Sequence, residues 1–334
     1  MVAARQDWLK QIVEAPLDPG LPICDPHHHF WDRPGERYLV EELLQDLRGG
    51  HNVVSTVFIE CREQWRQDGP QEMRPVGEME FVERMVGPNG KYGDTAVAAG
   101  IVGFADMTLG ADVARVLEAH LAASPNRFRG IRHSVTWDAS PTVKTATPGI
   151  PRGLMADATF RAGLACLPKY GLSFEAWLYH PQLPEVPALA RAVPDLPIVL
   201  NHVGGLLGVG PYAGQRDEIF AGWKRAMREV ATCPNVVVKL GGLGMVRCGF
   251  GWSERATPPT AAELVEATAP YYLFCIEQFG PDRCMFESNF PVDKLSYGYT
   301  VAWNSFKRMT QGFSAAERAA LFHNTAVRVY RLGS

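Results

Sequence analysis

Apolar and polar positions along the chain follow two alternating rhythms. Eight short runs rich in β-branched and aromatic residues recur from one end to the other: PICDPHHHF from Pro22, VVSTVFIEC from Val53, AVAAGIVGFAD from Ala96, FRGIRHSVTW from Phe128, LSFEAWLY from Leu172, PIVLNHVGG from Pro197, NVVVKLGG from Asn235 and RCMFESNFP from Arg283. Between them lie stretches with apolar residues three and four apart, such as DVARVLEAHLAA from Asp112 and DEIFAGWKRAMREVA from Asp217, which predict amphipathic helices. Strands alternating with helices imply parallel pairing and right-handed crossovers. Eight such units predict an α/β fold of the closed (β/α)8 barrel type, with residues 1–334 forming a single domain. An open doubly wound sheet would carry a glycine-rich phosphate loop after its first strand, whereas here that strand ends in DPHHHFWD and neither GxGxxG nor GxxxxGK[ST] occurs.

In a barrel, the segments after strands two, four, six and seven, at about 62–77, 138–153, 204–214 and 241–259, rise over the face where active sites are built. They are rich in Gly, Pro, Arg and aromatic residues. Charge then removes several partners: a net charge of −3 with interspersed signs offers neither the basic face of a nucleic-acid module nor a cationic membrane helix. No apolar run is long enough to span a bilayer, and the first residues lack the apolar core of a signal peptide, so a soluble cytoplasmic protein is expected. The seven cysteines form no CxxC pair and mostly sit in apolar runs, as small buried hydrophobes in a reducing compartment would.

The first strand carries the most unusual chemistry. Alternation turns Asp25, His27 and His29 one way and His28 the other, and two imidazoles so spaced can converge on one cation. His180 follows SFEAWLY and His202 closes PIVLN, both at strand ends that a barrel gathers around one pocket. His51, His120 and His323 lie in helical or linker contexts. Glu60 ends strand two inside an apolar run, and Glu287 shares the strand parity of Asn289 and is expected one layer below it. A carboxylate so buried must be paired, protonated or metal-bound. For Glu287 the structural alternative is an ion pair with Lys239 on the neighbouring strand. Arg62, Arg66, Arg132, Arg247 and Lys239 all fall at or just beyond strand ends, where convergent cations suit a carboxylate or sulfonate. Trp65, Trp137, Trp177 and Tyr179 are placed to wall an aromatic or cyclic substrate, with ordinary core packing as the alternative for each.

The His27/His29 pair, His180, the NHVGG around His202, NVVVKLGG, FESNFPVDK and FHNTAVRVYRL together resemble the amidohydrolase superfamily. More narrowly the chain resembles its amidohydrolase-related branch, which includes lactonases acting on 2-pyrone-4,6-dicarboxylate, sulfomuconolactone and sugar acids and, more distantly, metal-dependent decarboxylases. The resemblance runs from Ile23 to Leu332. It implies a distorted (β/α)8 barrel with a divalent metal, zinc or manganese, held by His27, His29 and His180, while His202 polarises the substrate or shuttles protons. Relatives commonly carry Gly, Ser and Asp where this chain has Glu287, Ser288 and Asn289. An asparagine amide is no general base at neutral pH, so Glu287 or Glu60 is expected to substitute for that aspartate.

The reading that follows is metal-assisted hydrolysis of a small cyclic ester bearing a carboxylate, with Arg62, Arg132, Lys239, Tyr179 and Arg247 around the substrate. A metal-free mechanism resting on His202 and the carboxylates stays open. Non-oxidative decarboxylation of a cyclic acid is the second enzyme reading, and a non-catalytic ligand-binding barrel the third. The branch's habit of association also allows a homo-oligomer.

Overall fold

A computed structural model of the chain describes residues 5–143, 145, 147 and 149–333. Eight parallel strands pair in sequence order: β1 (Ile23–His28), β2 (Val53–Ile59), β3 (Thr95–Gly103), β4 (Phe128–Arg132), β5 (Ser173–Ala176), β6 (Ile198–Leu200), β7 (Val236–Leu240) and β8 (Cys284–Phe286). Seven fall within the apolar runs of the sequence, and β3 begins one residue before its run, at Thr95. The crossovers carry helices α1 (Val40–Leu47), α2 (Val76–Val86), α3 (Ala114–Ala123), α4 (Ala158–Leu164), α5 (Val186–Ala192), α6 (Arg216–Ala231) and α7 (Ala261–Phe279), and α8 (Tyr299–Met309) follows β8. The local signals for these helices are strong in places. Thr260 and Glu263 form a capping box at the start of α7, and Gly280, at φ 77°, ends it.

Strand β8 is too short to close the barrel alone. The residues beyond it complete the seam: Asn289 donates its backbone N–H to the carbonyl of His27, and His29 donates to that of Phe290. The (β/α)8 barrel of the amidohydrolase type is thereby nearly closed.

Two cores result from strand alternation. The larger lies between strands and helices, where Phe286 stacks on Phe306 of α8 at 4.5 Å between ring centroids. The smaller fills the barrel itself: Cys24, Val57, Val102, Val199, Val237 and Met285 meet Tyr330 and Leu332, which enter from the chain's C-terminal end. One step further along the strands the same inward parity brings Arg132, Glu175, Asn201, Lys239 and Glu287, all buried. The barrel interior is therefore apolar below and charged above. A hairpin of Trp31–Arg33 and Glu36–Tyr38 rises after β1. Among the described residues no helix is long and apolar enough to cross a membrane.

Candidate active site

The charged layer converges on His27. A register shift between Asp25 and His28 interrupts the alternation of β1, so Asp25 does not share the histidines' surroundings as the sequence pattern predicts. Its carboxyl instead accepts from Ser288 N at 3.0 Å and from Tyr299 Oη at 2.9 Å. His28, as expected, turns away from the pair, with Nε2 2.9 Å from Thr56 Oγ1. His27 and His29 remain together, their Nε2 atoms 3.3 Å apart. The Ile59 carbonyl, 2.7 Å from His29 Nδ1, accepts a hydrogen bond from Nδ1–H and leaves Nε2 of His29 with the lone pair.

Glu287 is the hub. Its Oε1 lies 2.6 Å from His202 Nδ1, in a hydrogen bond, and its Oε2 lies 2.7 Å from His27 Nδ1 in a contact too bent to be one. Burial pushes the Glu287 carboxyl up to about 8, against the pull of Lys239. Burial likewise holds His27, His29 and His202 well below the ordinary imidazole range, so the three rings are neutral at pH 7. Gly242, at φ 74°, sits against the His202 ring so closely that a Cβ would collide with it, and glycine is required there for both reasons.

Two cations flank His27. Arg132 Nη1 is 3.3 Å from Nε2 and Lys239 Nζ is 3.4 Å from Nδ1. Glu60 holds Arg132 through Nε at 2.7 Å and again through its backbone carbonyl. Lys239 pairs at 2.9 Å with Glu175, which also receives Asn201 Nδ2 and Tyr330 Oη. The pairing of Lys239 with Glu287, one of the two readings of the sequence, is thus replaced by Glu175. Glu175 was overlooked, although a lone carboxylate in the apolar strand SFEA carries the same signal that singled out Glu60 and Glu287.

Above this layer opens a cavity of about 310 Å3, lined by His29, Arg132, His202 and Asn289 and walled by Trp31, Trp177, Met245 and Val292. Glu60, Arg33, Arg62 and Arg247 also reach it. Arg33 is neutralised by Glu63 at 2.8 Å, and Arg132 by Glu60. Arg62 stacks over Trp65 and Phe104, and Arg247 donates to Tyr179 Oη at 2.6 Å, so neither has a carboxylate partner among the described residues. Asn289, at φ 55°, donates Nδ2 to Asp293 at 2.8 Å, which leaves its carbonyl oxygen for the cavity.

Several expectations are corrected by this geometry. His180 does not join the pair on β1, because β5 ends at Ala176 and the chain has turned away before His180 is reached. Its Nδ1 accepts from Leu207 N at 3.2 Å, and no three ligand atoms that include it lie together among the described residues. His202 takes the place beside His27 instead, 4.6 Å away between centroids. Lys239 and Tyr179 are fully buried and are not among the residues that line the cavity. Glu287 is equally buried and reaches the cavity only through His202. The segment 204–214 contributes no lining residue, whereas Trp31 and Arg33 of the hairpin after β1, unforeseen in the sequence, do.

A candidate cation group exists in His27, His202 and Glu287, whose ligand atoms all lie within 4.8 Å of one another. The separation of the His27 and His29 Nε2 atoms also matches two nitrogens on one small ion, about 3.3 Å apart for bonds of 2.0 to 2.1 Å. The surroundings weigh on it in two ways: Glu287 Oε1 is engaged by His202 while Oε2 is buried without a hydrogen-bond partner, and His180 is elsewhere while a guanidinium and an ammonium flank His27. A divalent ion at His27 would thus have to share that ring with two cations.

Comparison with known proteins adds an independent line. A family model described as Amidohydrolase matches residues 24–332. An uncharacterized protein of Sinorhizobium fredii is 34% identical, over 93% of this chain and 98% of its own. An L-fucono-1,5-lactonase of Burkholderia multivorans is 30% identical, over 92% of this chain and 95% of its own. A crystal structure of an amidohydrolase from Burkholderia multivorans with bound zinc superposes with a TM-score of 0.71 at 25% identity, covering 93% of this chain and 99% of that one.

Proposed function

Because the chain belongs to the amidohydrolase family and is a hydrolase of it, we propose that it opens a small lactone bearing an anionic group, using His202 as general base. The observation that carries this reading is the 2.6 Å bond between His202 Nδ1 and Glu287 Oε1 in a ring that lines the cavity. With Nδ1 held by the buried carboxyl, Nε2 is the nitrogen left to face a water molecule.

His202 Nε2 takes a proton from that water as its oxygen attacks the lactone carbonyl carbon. The Arg132 guanidinium, fixed by Glu60, stabilises the oxyanion that develops, and the Asn289 carbonyl oxygen accepts the second water hydrogen. The tetrahedral intermediate collapses with cleavage of the ring C–O bond, and the leaving alkoxide recovers the proton from His202. Glu287, through its bond to Nδ1, holds the ring in this orientation between the two steps. Arg62 and Arg247, without carboxylate partners of their own, receive the substrate's anionic group, and Trp31 and Trp177 cover its ring faces. The lactonase relative supports the bond cleaved, and the arginines support the charge of the substrate.

A second reading, in which a divalent ion displaces Arg132 from between the two β1 histidines, rests on their 3.3 Å separation and the zinc-bound neighbour. Decarboxylation, which calls for direct binding of the substrate to metal, meets the same obstacle at His27. The test is a panel of five- and six-membered lactones, with and without a carboxylate substituent, followed by acid release. Preferential opening of the carboxylated members is expected, with a loss of roughly 100-fold or more in kcat for His202→Ala. Carbon dioxide release without ring opening, or no turnover on any lactone, would overturn the proposal.

A further inference from the structure

The turn that follows β2 is held in an unusual way. Arg62 and Gln64, neither of them glycine, both adopt left-handed backbone, at φ 64° and 51°. A conformation that side-chain sterics disfavour persists only where surroundings impose it. Here the imposing group is Glu78, in the first turn of α2 and 2% exposed. Its Oε1 accepts the backbone N–H of Cys61 at 2.8 Å and of Glu63 at 2.9 Å, the residues on either side of Arg62. Gly77 completes the socket: a Cβ there would lie 2.6 Å from both Gln64 O and Arg66 N. Arg33 braces the same turn from the other side, through Glu63 Oε2 and the Cys61 carbonyl, each at 2.8 Å.

Glu78 is not among the residues that line the substrate cavity, and its hydrogen bonds go to backbone N–H groups rather than to the side chains assigned to the chemistry. Its Oε2 is buried without a hydrogen-bond partner, an arrangement a lone carboxylate would not be expected to keep unless Oε1 had a task. Resting on the lactone reading above, we propose that Glu78 is a positioning residue for substrate binding: its carboxyl ties both neighbours of Arg62 to α2 and so aims that guanidinium into the cavity. Burial, followed by the nearby Glu60, raises the Glu78 carboxyl to about 8, and glutamine, whose amide oxygen can accept the same two N–H groups, is its close isostere.

The experiment compares wild type, Arg62→Ala, Glu78→Ala, Glu78→Gln and the Arg62→Ala/Glu78→Ala double variant. Turnover is measured on a carboxylated lactone and on its unsubstituted analogue, and binding of a non-hydrolysable cyclic dicarboxylate is measured by calorimetry. Glu78→Ala is expected to raise KM for the carboxylated lactone and Kd for the dicarboxylate by about tenfold, to change kcat far less, and to leave the unsubstituted lactone within about threefold. Glu78→Gln is expected to restore most of the binding, and the double variant to behave like Arg62→Ala alone. Should Glu78→Ala not fold, Gly77→Ala displaces the same turn from the other contact and is expected to give the same split. Equal losses on both lactones, unchanged dicarboxylate binding, or additive effects in the double variant would overturn the proposal. Calorimetry reads the inference even where no lactone is turned over, whereas wild-type turnover alone judges the lactone reading.

Discussion

Arg132 Nη1 lies 3.3 Å from Nε2 of His27, on the side of the imidazole that also faces His29. A fixed guanidinium therefore stands where two histidines would otherwise offer lone pairs to an ion. Purified protein is accordingly expected to contain far less than one equivalent of zinc or manganese by elemental analysis, and to keep its turnover after exhaustive chelation. Stoichiometric metal, lost together with activity in His27→Ala/His29→Ala, is the contrary result. Arg132→Met tests the same relationship from the other side, because removal of the cation should raise metal uptake.

The division of labour between His202 and Glu287 predicts unequal losses. His202→Ala removes the group that touches water, whereas Glu287→Gln keeps the shape but offers an amide N–H where Nδ1–H needs an acceptor. We expect Glu287→Gln to lower kcat by about 100-fold with a smaller effect on KM. If Glu287→Gln were to match wild type in kcat while His202→Ala lost activity, the carboxyl would have no part in orienting the ring.

Lys239 and Glu175 are both fully buried, 2.9 Å apart. Breaking such a pair strands a charge, at a cost of about 3 to 5 kcal/mol, whereas replacing both partners is often much milder. Lys239→Met and Glu175→Gln are each expected to lower stability strongly in chemical denaturation, with Lys239→Met/Glu175→Gln recovering a good part. A double variant that is merely the sum of the singles would contradict the pairing.

His120, on α3, is buried with Nε2 2.8 Å from the Phe104 carbonyl, and burial lowers its ring from 6.5 to about 4. A depressed imidazole leaves the folded state with fewer bound protons than the unfolded chain between pH 6.5 and 4, so its contribution to stability falls as pH falls through that window. Denaturation of His120→Gln and wild type at successive pH values should show the variant catching up on acidification, by an amount on the order of 3 kcal/mol at full shift. A difference constant from pH 7 to pH 4 would show that the ring does not titrate in this way.

Strand positions were legible because strands buried on both faces read as short, mostly apolar runs, and β2 and β7 leave almost no other reading. Strand ends were not. The run LSFEAWLY gives no sign that pairing stops at Ala176, and that ending separates His180 from the β1 histidines while leaving Glu175 inside. Ion-pair partners were equally hidden, since Lys239 could reach a carboxylate on either side and only the barrel's cross-section selects Glu175 over Glu287. The departure of Asn289 from aspartate was visible in the sequence. Its partner Asp293, which turns the amide nitrogen away from the cavity and is itself raised to about 7 by burial, was not.

The seam between β1 and the residues after β8 has a bearing on how this enzyme could change over evolutionary time. Asn289 closes the cylinder with its main chain, through the His27 carbonyl, and presents its side chain to the cavity. An insertion or deletion that altered chemistry at this spot would also unzip the staves, so new specificities should arise by drift in the hairpin after β1 and the turn after β2, with the seam itself left untouched.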